Sequence, residues 1–70
     1  MDEVKEFIVI EEEEGDRLDV YLSEQLGDMS RSYIQKLIKD KKVTVNDKIE
    51  KAKYLVKEDD KIVIQIPAPK

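Results

Sequence analysis

The segment SRSYIQKLIKDKKVTVN, residues 30–46, decides the fold because its apolar residues change period partway along it. In the first half, Ile34, Leu37 and Ile38 recur at i, i+3 and i+4, the spacing of one face of an α-helix. Ser30 precedes them, and a serine side chain can accept a hydrogen bond from the free N–H groups at a helix start. The first half therefore predicts a helix that begins after Ser30 and packs an apolar stripe against a core.

The second half of the segment and the residues beyond it predict strands. Val43-Thr44-Val45 has a period of two, and Asn46-Asp47 is a turn pair because both residue types tolerate positive φ. Tyr54-Leu55-Val56 is predicted as a further short strand. Lys61–Ile66 is predicted as the last strand, after a turn at residues 58–60. The helix is thus expected to lead into three consecutive strands.

The residues before the segment predict one strand and one helix. Phe7-Ile8-Val9-Ile10 is rich in β-branched residues, as strands are. A helix is predicted from about Arg17 to Leu26, with Asp16 as its N-cap and Gly27 as its stop. The order of one strand, two helices and three strands places the chain in the α+β class.

The charge of the chain is divided between its two parts. The whole chain has a net charge of −4, and 43% of its residues are charged. Residues 1–16 hold eight acidic residues and one basic residue, so that residues 17–70 have a net charge of +3. An acidic total therefore does not exclude a basic surface that attracts a polyanion.

The composition excludes several classes of function. The chain has no cysteine and no histidine, which excludes disulfides and thiolate metal sites and removes the commonest general base. Its 70 residues allow one small domain, so neither a catalytic site nor a cofactor is expected. No apolar run reaches roughly 18 residues, and no signal-peptide pattern is present. We therefore expect a cytoplasmic monomer that does not enter a membrane.

Helix geometry gathers the basic residues of the segment on one side. Residues 31–42 hold five basic residues and one acidic residue, Asp40. On a helix, Arg31, Gln35 and Lys39 lie at i, i+4 and i+8, away from the apolar stripe. We define the basic face as this side of the helix with the turn after it: Arg31, Ser32, Gln35, Lys36, Lys39, Lys41 and Lys42. Such a face either is merely solvated or binds nucleic-acid phosphates.

Six short motifs, in order along the chain, carry a resemblance to a known family. They are Arg17-Leu18-Asp19, Ser30-Arg31-Ser32, Gln35-Lys36-Leu37-Ile38, Val43-Thr44-Val45-Asn46, Val56-Lys57-Glu58 and Asp60. Over about residues 15–66, the chain resembles the alpha-L RNA-binding domain of the small-subunit ribosomal protein four type. It looks most like the N-terminal domain of bacterial large-subunit ribosomal RNA pseudouridine synthases, which an acidic strand opens and an Ile-Pro-x-Pro segment, here residues 66–69, closes.

The resemblance implies a fold, a ligand and a larger protein. It implies two helices packed on a small, mainly antiparallel sheet over residues 1–66, with residues 67–70 starting a linker to a catalytic domain outside this chain. It implies binding of structured RNA, expected to be ribosomal RNA. The expected RNA-binding residues are Arg31, Ser32, Gln35, Lys36, Lys39, Lys41, Lys42, Lys48 and Lys53, with Lys51 beside them. The family usually has glycine at the positions of Lys41, Asp47 and Asp59.

Some features also have other interpretations. Pseudouridine synthases carry Arg-Leu-Asp in their catalytic motif, but here Arg17-Leu18-Asp19 follows Gly-Asp, and Asp19 is assigned to the dipole-positive first turn of a helix. Asn46 is expected to be structural, and Glu11–Glu14 to be solvated rather than a metal site. Two alternatives to RNA binding stay open: a protein-interaction domain that uses the acidic strand, and a ubiquitin-like or sulfur-carrier protein, whose Gly-Gly tail is missing here.

Overall fold

The computed structural model describes residues 3–67, which form two α-helices on one face of a four-stranded sheet. The elements are β1 (Glu3–Ile8), a 3-10 helix (Glu11–Glu13), α1 (Leu18–Gln25), α2 (Arg31–Lys39), β2 (Val43–Val45), β3 (Lys48–Ile49) and β4 (Lys61–Ile66). The strand order is β1-β4-β2-β3, and each pair of neighbours is antiparallel. The predicted α+β class is therefore confirmed. Of the predicted linker, only Pro67 belongs to the described residues.

α2 forms where the apolar stripe predicts it. The Ser30 hydroxyl oxygen accepts a hydrogen bond from the Tyr33 N–H at 3.2 Å, which confirms Ser30 as the N-cap. The stripe of Ile34, Leu37 and Ile38 is buried. Burial of this stripe leaves the polar side of the helix toward solvent.

The C-terminus of α2 turns sharply into β2. Lys41 has a φ of 62°, in the left-handed region. Its N–H donates to the Ile38 carbonyl at 3.1 Å, and the next N–H, that of Lys42, donates to the Leu37 carbonyl at 2.9 Å. This pair of bonds is the Schellman motif, in which glycine is the usual residue with positive φ. Lysine at that position costs about 1 kcal/mol.

A two-residue turn joins β2 to β3. Asn46 and Asp47 have φ values of 51° and 67°, as predicted for this turn pair. The Asn46 side chain is structural as well, because its Nδ2 donates to Asp60 Oδ1 at 2.9 Å and its Oδ1 accepts from the Lys61 N–H at 3.0 Å. These bonds fix the turn against the start of β4.

The prediction of a strand at residues 54–56 is wrong. The strand that lies beside β2 is instead β3, which the sequence did not suggest. Leu55 makes only an isolated bridge to Arg17. The Val56 N–H donates to the Asp16 carbonyl at 2.9 Å. Because backbone groups of this segment bond to the chain that enters α1, the segment does not join the sheet.

α1 is one residue shorter at each end than predicted, and its N-cap is Arg17 rather than Asp16. No side chain caps this end. Instead the Leu18 N–H donates to the Tyr54 carbonyl at 2.7 Å. A backbone carbonyl of a distant loop thus satisfies the helix start, which is why a cap predicted from the local sequence is wrong.

β1 spans Glu3–Ile8 rather than residues 7–10. Val9 has left the strand, is buried, and exchanges backbone hydrogen bonds with the turn at residues 59–60. The acidic run then forms the 3-10 helix Glu11–Glu13. Its first two residues are exposed, so the run is largely solvated as predicted, although not as part of a strand.

The core lies between the helices and one face of the sheet. The rings of Phe7 and Tyr21 meet edge to face with centroids 6.4 Å apart, which joins β1 to α1. The buried apolar residues are Val9, Leu18, Tyr21, Leu22, Leu26, Ile34, Leu37, Ile38, Val43, Val45, Val56, Ile62 and Ile64. Both helices and three of the strands therefore share one core, which holds α2 in a fixed orientation.

Candidate nucleic-acid interface

The basic face lies on the exposed side of α2 and on the turn that follows. Its exposed members are Arg31, Ser32, Gln35, Lys36, Lys39 and Lys41, whereas Lys42 is half-buried. The first turn of α2 contains no acidic residue, and its last turn contains two lysines. The helix therefore presents a cationic surface to solvent along its whole length.

Asp19 of α1 contacts two members of the basic face, Gln35 and Arg31. Its side chain is fully buried and accepts a hydrogen bond from Gln35 Nε2 at 2.7 Å. Arg31 Nη2 lies 3.5 Å from Asp19 Oδ2. On the other side, Arg17 Nε lies 3.3 Å from Asp19 Oδ1. One carboxylate of α1 thus orients Gln35 and Arg31 on α2 across the helix interface.

The electrostatics around Asp19 favour its charged form. Burial raises the pKa of Asp19, but the hydrogen bonds from Gln35 and the Val20 N–H, together with the charges of Arg17 and Arg31, outweigh burial and leave the pKa below its ordinary value. A carboxylate engaged by two guanidinium groups and an amide is a structural anion. Asp19 lies in the first turn of α1 as predicted, and its carboxylate in addition contacts Arg17, Arg31 and Gln35.

A groove separates α2 from the loop after β3. We call it the α2 groove; it has a volume of about 640 Å³. Gln35, Ile38 and Lys39 line it from the helix and Lys41 from the turn, and the other wall is formed by residues 49–54, the end of β3 and the loop after it. This wall contributes Lys51 and Lys53. The fold thus brings lysines from two distant parts of the sequence to one groove.

Five of the predicted residues do not line this groove. The residues absent from its walls are Arg31, Ser32, Lys36, Lys42 and Lys48. Ser32 and Lys36 extend the exposed side of α2, and Lys48 is exposed on β3. The predicted set is therefore one helix face with a groove along it rather than a single concave site.

Tyr54 and Asp60 fix the far wall of the α2 groove. The Tyr54 hydroxyl donates to Asp60 Oδ2 at 2.7 Å, and the Lys57 N–H donates to the same oxygen at 2.9 Å. The hydrogen bond to Asp60, with burial and nearby carboxylates, raises the pKa of Tyr54 to about 12. Burial raises the pKa of Asp60, but its three hydrogen bonds and the charge of Lys57 leave it lowered.

Sequence reasoning missed the residues that act across the fold. Arg17 contributes to a second, smaller cavity of about 360 Å³, together with Gln35, Lys51, Ala52 and Lys53. The contacts of Asp19 with Arg31 and Gln35 span 12 and 16 residues, so no local pattern marks them. In the sequence, the only signal for these contacts was that Asp19 lies between Arg17 and Arg31.

Within residues 3–67, no group of acidic residues is arranged to hold a metal ion. None of the helices in that part of the chain is long and apolar enough to span a membrane. Among the same residues, Arg31 is the only cation of the basic face in an ion pair. The lysines of the face are thus not neutralised by nearby carboxylates.

Two helices on one face of an antiparallel sheet, with a cationic second helix, make this an α+β domain of the alpha-L type. The S4 domain family matches residues 16–62, most of the chain, and the chain belongs to that family. The S4 domain is an RNA-binding domain. The resemblance on which RNA binding was predicted is therefore confirmed, and it favours RNA binding over the sulfur-carrier alternative.

Two curated relatives are RNA pseudouridine synthases by name. The chain is 34% identical over 59 residues to the uncharacterized RNA pseudouridine synthase YlyB of Bacillus subtilis (strain 168), covering 84% of the chain and 20% of that protein. It is 41% identical over 68 residues to an uncharacterized RNA pseudouridine synthase of Aquifex aeolicus (strain VF5), covering 96% of the chain and 21% of that protein. The chain thus spans about a fifth of the length of these relatives.

Proposed function

We propose that this chain is the RNA-binding accessory domain of a pseudouridine synthase and that, as a monomer, it docks structured ribosomal RNA in the cytoplasm through the basic face. The observation that carries the proposal is the uninterrupted cationic side of α2 in an S4 domain, where Lys36 and Lys39 are exposed and have no ion-pair partner within residues 3–67. The similarity to RNA pseudouridine synthases supports the accessory role.

In this proposal the RNA backbone supplies most of the affinity. Arg31 and Lys36 contact phosphates, Gln35 reaches a sugar or base edge, and Ser32 donates to a phosphate near the helix start. Lys39, Lys41, Lys42, Lys48 and Lys53 extend the positive surface. Residues 67–70 start a linker to a catalytic domain, and the tether raises the concentration of that domain at its target. The chain itself contributes binding and no chemistry.

The test is an amide NMR titration of the chain with a structured ribosomal RNA hairpin at two salt concentrations. We expect chemical-shift changes centred on residues 31–42 that weaken with salt. With roughly three to five phosphate contacts, the logarithm of the association constant should fall against the logarithm of salt concentration with a slope of about −3 to −4. The double substitution Arg31→Ala/Lys36→Ala should weaken binding and reduce this slope by about 2.

The matched control is Lys5→Ala/Lys57→Ala, which removes the same total charge away from the basic face. It should change the affinity much less. Equal losses for the two double variants would mean that only net charge matters, and the absence of any shifts at low salt would favour the protein-interaction alternative.

A further inference from the structure

The α2 groove has a floor that phosphate binding does not explain. Ile38, Ala52 and Tyr54 line it as buried or half-buried residues, and Ile49 lines it with half its surface exposed. Apolar surface of this kind gains nothing from a phosphate, which prefers water or a cation to hydrocarbon. Its volume of about 640 Å³ lies within the ~300–1,000 Å³ range of sites for small ligands. The groove therefore has the size and polarity to take an apolar group.

The rim of the groove has the opposite character from the floor. Lys39 and Lys41 stand on the helix side and Lys51 and Lys53 on the loop side, all exposed, against one carboxylate, that of Glu50. A ligand that fits both parts has a flat apolar portion attached to negative charge. A nucleotide within RNA has this chemistry, since its base presents apolar faces and its flanking phosphates are anionic.

The wall formed by Tyr54 is held in place before any ligand binds. The Tyr54 hydroxyl donates to Asp60 at 2.7 Å, which restrains the ring, and Asp60 is itself fixed by the Lys57 N–H and the Asn46 side chain. A restrained wall loses little conformational entropy when it receives a ligand. The groove thus needs no rearrangement of Tyr54 to remain open.

The groove continues toward α1. The second cavity of about 360 Å³ shares Gln35, Lys51, Ala52 and Lys53 with it and ends at Arg17. Its walls add a guanidinium group and contain no acidic residue. An RNA strand that places one base in the larger cavity can therefore place its next sugar or phosphate beside Arg17 and Gln35.

We propose that the α2 groove binds one unpaired nucleobase of the RNA held by the basic face, with the flanking phosphates on Lys39, Lys41, Lys51 and Lys53. The base must be unpaired, because paired and stacked bases hide their faces. This inference rests on the proposed function, since it names a feature of the RNA that the domain selects. The domain then recognises a helix that carries a bulged or loop nucleotide rather than a continuous duplex.

The test compares three RNA hairpins with the same stem by fluorescence anisotropy at low salt. One is fully paired, the second has a single unpaired adenosine in the stem, and the third has an abasic ribose at that position. The second and third share the bend and flexibility of the bulge, so their difference isolates the base. We expect the unpaired adenosine to bind about ten-fold more tightly than the abasic site.

Three variants locate the base. Ala52→Leu fills the groove and Ile49→Ala removes part of its floor, so each should reduce the ratio of the affinity for adenosine RNA to that for abasic RNA. Ile8→Ala is the matched control, because Ile8 is 52% exposed against 50% for Ile49 and lies on β1 outside the groove. It should keep the full preference.

The outcomes separate this inference from the function on which it rests. Equal wild-type affinity for adenosine and abasic RNA overturns the nucleobase site and leaves RNA binding intact. A preference that survives in both Ala52→Leu and Ile49→Ala overturns the assignment to the α2 groove. Failure of all three hairpins to bind overturns the proposed RNA docking and this inference with it.

Discussion

Asp19 is the residue through which side chains of the two helices are connected. Its buried carboxylate accepts a hydrogen bond from Gln35 of α2 at 2.7 Å and lies 3.3 Å from Arg17 and 3.5 Å from Arg31. The Arg31 side chain is 54% exposed. Arg31 can therefore contact a phosphate while Asp19 limits its range of orientations, so that less side-chain entropy is lost on binding.

Asp19→Asn should lower the free energy of unfolding at neutral pH by about 1–3 kcal/mol. The substitution removes the anion that Arg17 and Arg31 face, although both guanidinium groups are about half exposed and regain water. RNA affinity should fall as well, because Arg31 and Gln35 lose their fixed orientation. Urea denaturation and RNA anisotropy measure the two effects, with Asp28→Asn, an exposed aspartate between the helices, as the control.

The contribution of Asp19 to the free energy of unfolding should depend on pH, and Asp19→Asn should lack this dependence. The pKa of folded Asp19 lies below its ordinary value of 3.8, so its contribution to stability is present above about pH 4 and is lost as the pH falls through the folded pKa. The wild-type protein should therefore lose stability more steeply below pH 4 than Asp19→Asn. Parallel acid curves for the two proteins would show that the carboxylate is not stabilised in the fold. Asp60, whose pKa is also lowered, contributes acid sensitivity that both proteins share.

Tyr54 gives an independent test at alkaline pH. Its pKa rises from an ordinary value of 10.0 to about 12, first because its hydroxyl donates to Asp60. A raised pKa means that the folded state keeps its proton longer, so the contribution is complete below pH 10 and is lost as the pH rises toward 12. Burial also raises the pKa of Tyr21, so absorbance titration should show late ionisation of both Tyr21 and Tyr54, and Tyr54→Phe should remove one of these two transitions. An unchanged titration in that variant would mean that the bond to Asp60 does not hold the hydroxyl.

At the scale of elements, the C-terminus of α2 combines backbone strain with charge. Lys41 occupies the left-handed position of the Schellman motif and also stands on the rim of the α2 groove. Asp47 and Asp59 likewise have positive φ at positions where the family usually has glycine. Aspartate tolerates this conformation better than lysine does. The strain is therefore greatest where an additional positive charge faces the groove.

Lys41→Gly should separate these two effects. We expect the free energy of unfolding to rise by about 1 kcal/mol, because glycine adopts positive φ without steric cost. RNA affinity should fall, most visibly at low salt, because one cation of the rim is lost. Denaturation and anisotropy on the same samples measure both. Lys42→Gly, whose φ is not positive, should destabilise instead, and stabilisation of both variants would argue against relief of strain at Lys41.

The sequence predicted those elements whose signals are local. The buried stripe and Ser30 cap of α2, the run Val43–Val45 and the turn at Asn46-Asp47 all depend on residues within one or two turns of chain. The strand predicted at residues 54–56 failed because its backbone bonds to the entry of α1, far away in sequence. β3, with two residues, is too short for any periodicity to mark.

The same limit explains what could be predicted of the candidate site. Helix periodicity places Arg31, Gln35 and Lys39 on one side of α2, and the structure has all three exposed there. The apolar floor of the groove depends on Ile49 and Ala52 lining the same cavity as Ile38, although both are more than ten residues from Ile38 in the sequence. Sequence reasoning thus identified the charges, whereas the concave shape between them required the fold.

At the scale of the whole molecule, charge segregation allows an acidic protein to bind a polyanion. The net charge is −4, yet the acidic residues are concentrated before α1 and the basic face lies on α2. RNA approaching the chain therefore meets a field that depends on direction, repelled by one part and attracted by the other. The acidic part should govern how often an encounter begins, and the basic face should govern how long the complex lasts.

Neutralisation of the exposed acids of the 3-10 helix tests this division. Glu11→Gln/Glu12→Gln should raise the association rate constant about two-fold at about 0.01 M salt, where the Debye length is about 30 Å. At about 0.15 M salt, where the Debye length is about 8 Å, the effect should disappear. The dissociation rate constant should stay the same at both salt concentrations, because neither residue lines the α2 groove. Stopped-flow fluorescence with a labelled RNA hairpin measures both constants.

The control variant removes one acidic residue from the C-terminal end of α1. Glu24→Gln takes one exposed carboxylate from the last turn of that helix and should change association by less than the double variant does. An acceleration that persists at about 0.15 M salt would place Glu11 and Glu12 within about 8 Å of bound phosphates. A changed dissociation rate would mean that the 3-10 helix contacts the RNA directly. In either case the acidic segment would belong to the interface, and repulsion by it would limit which RNA shapes the basic face can approach.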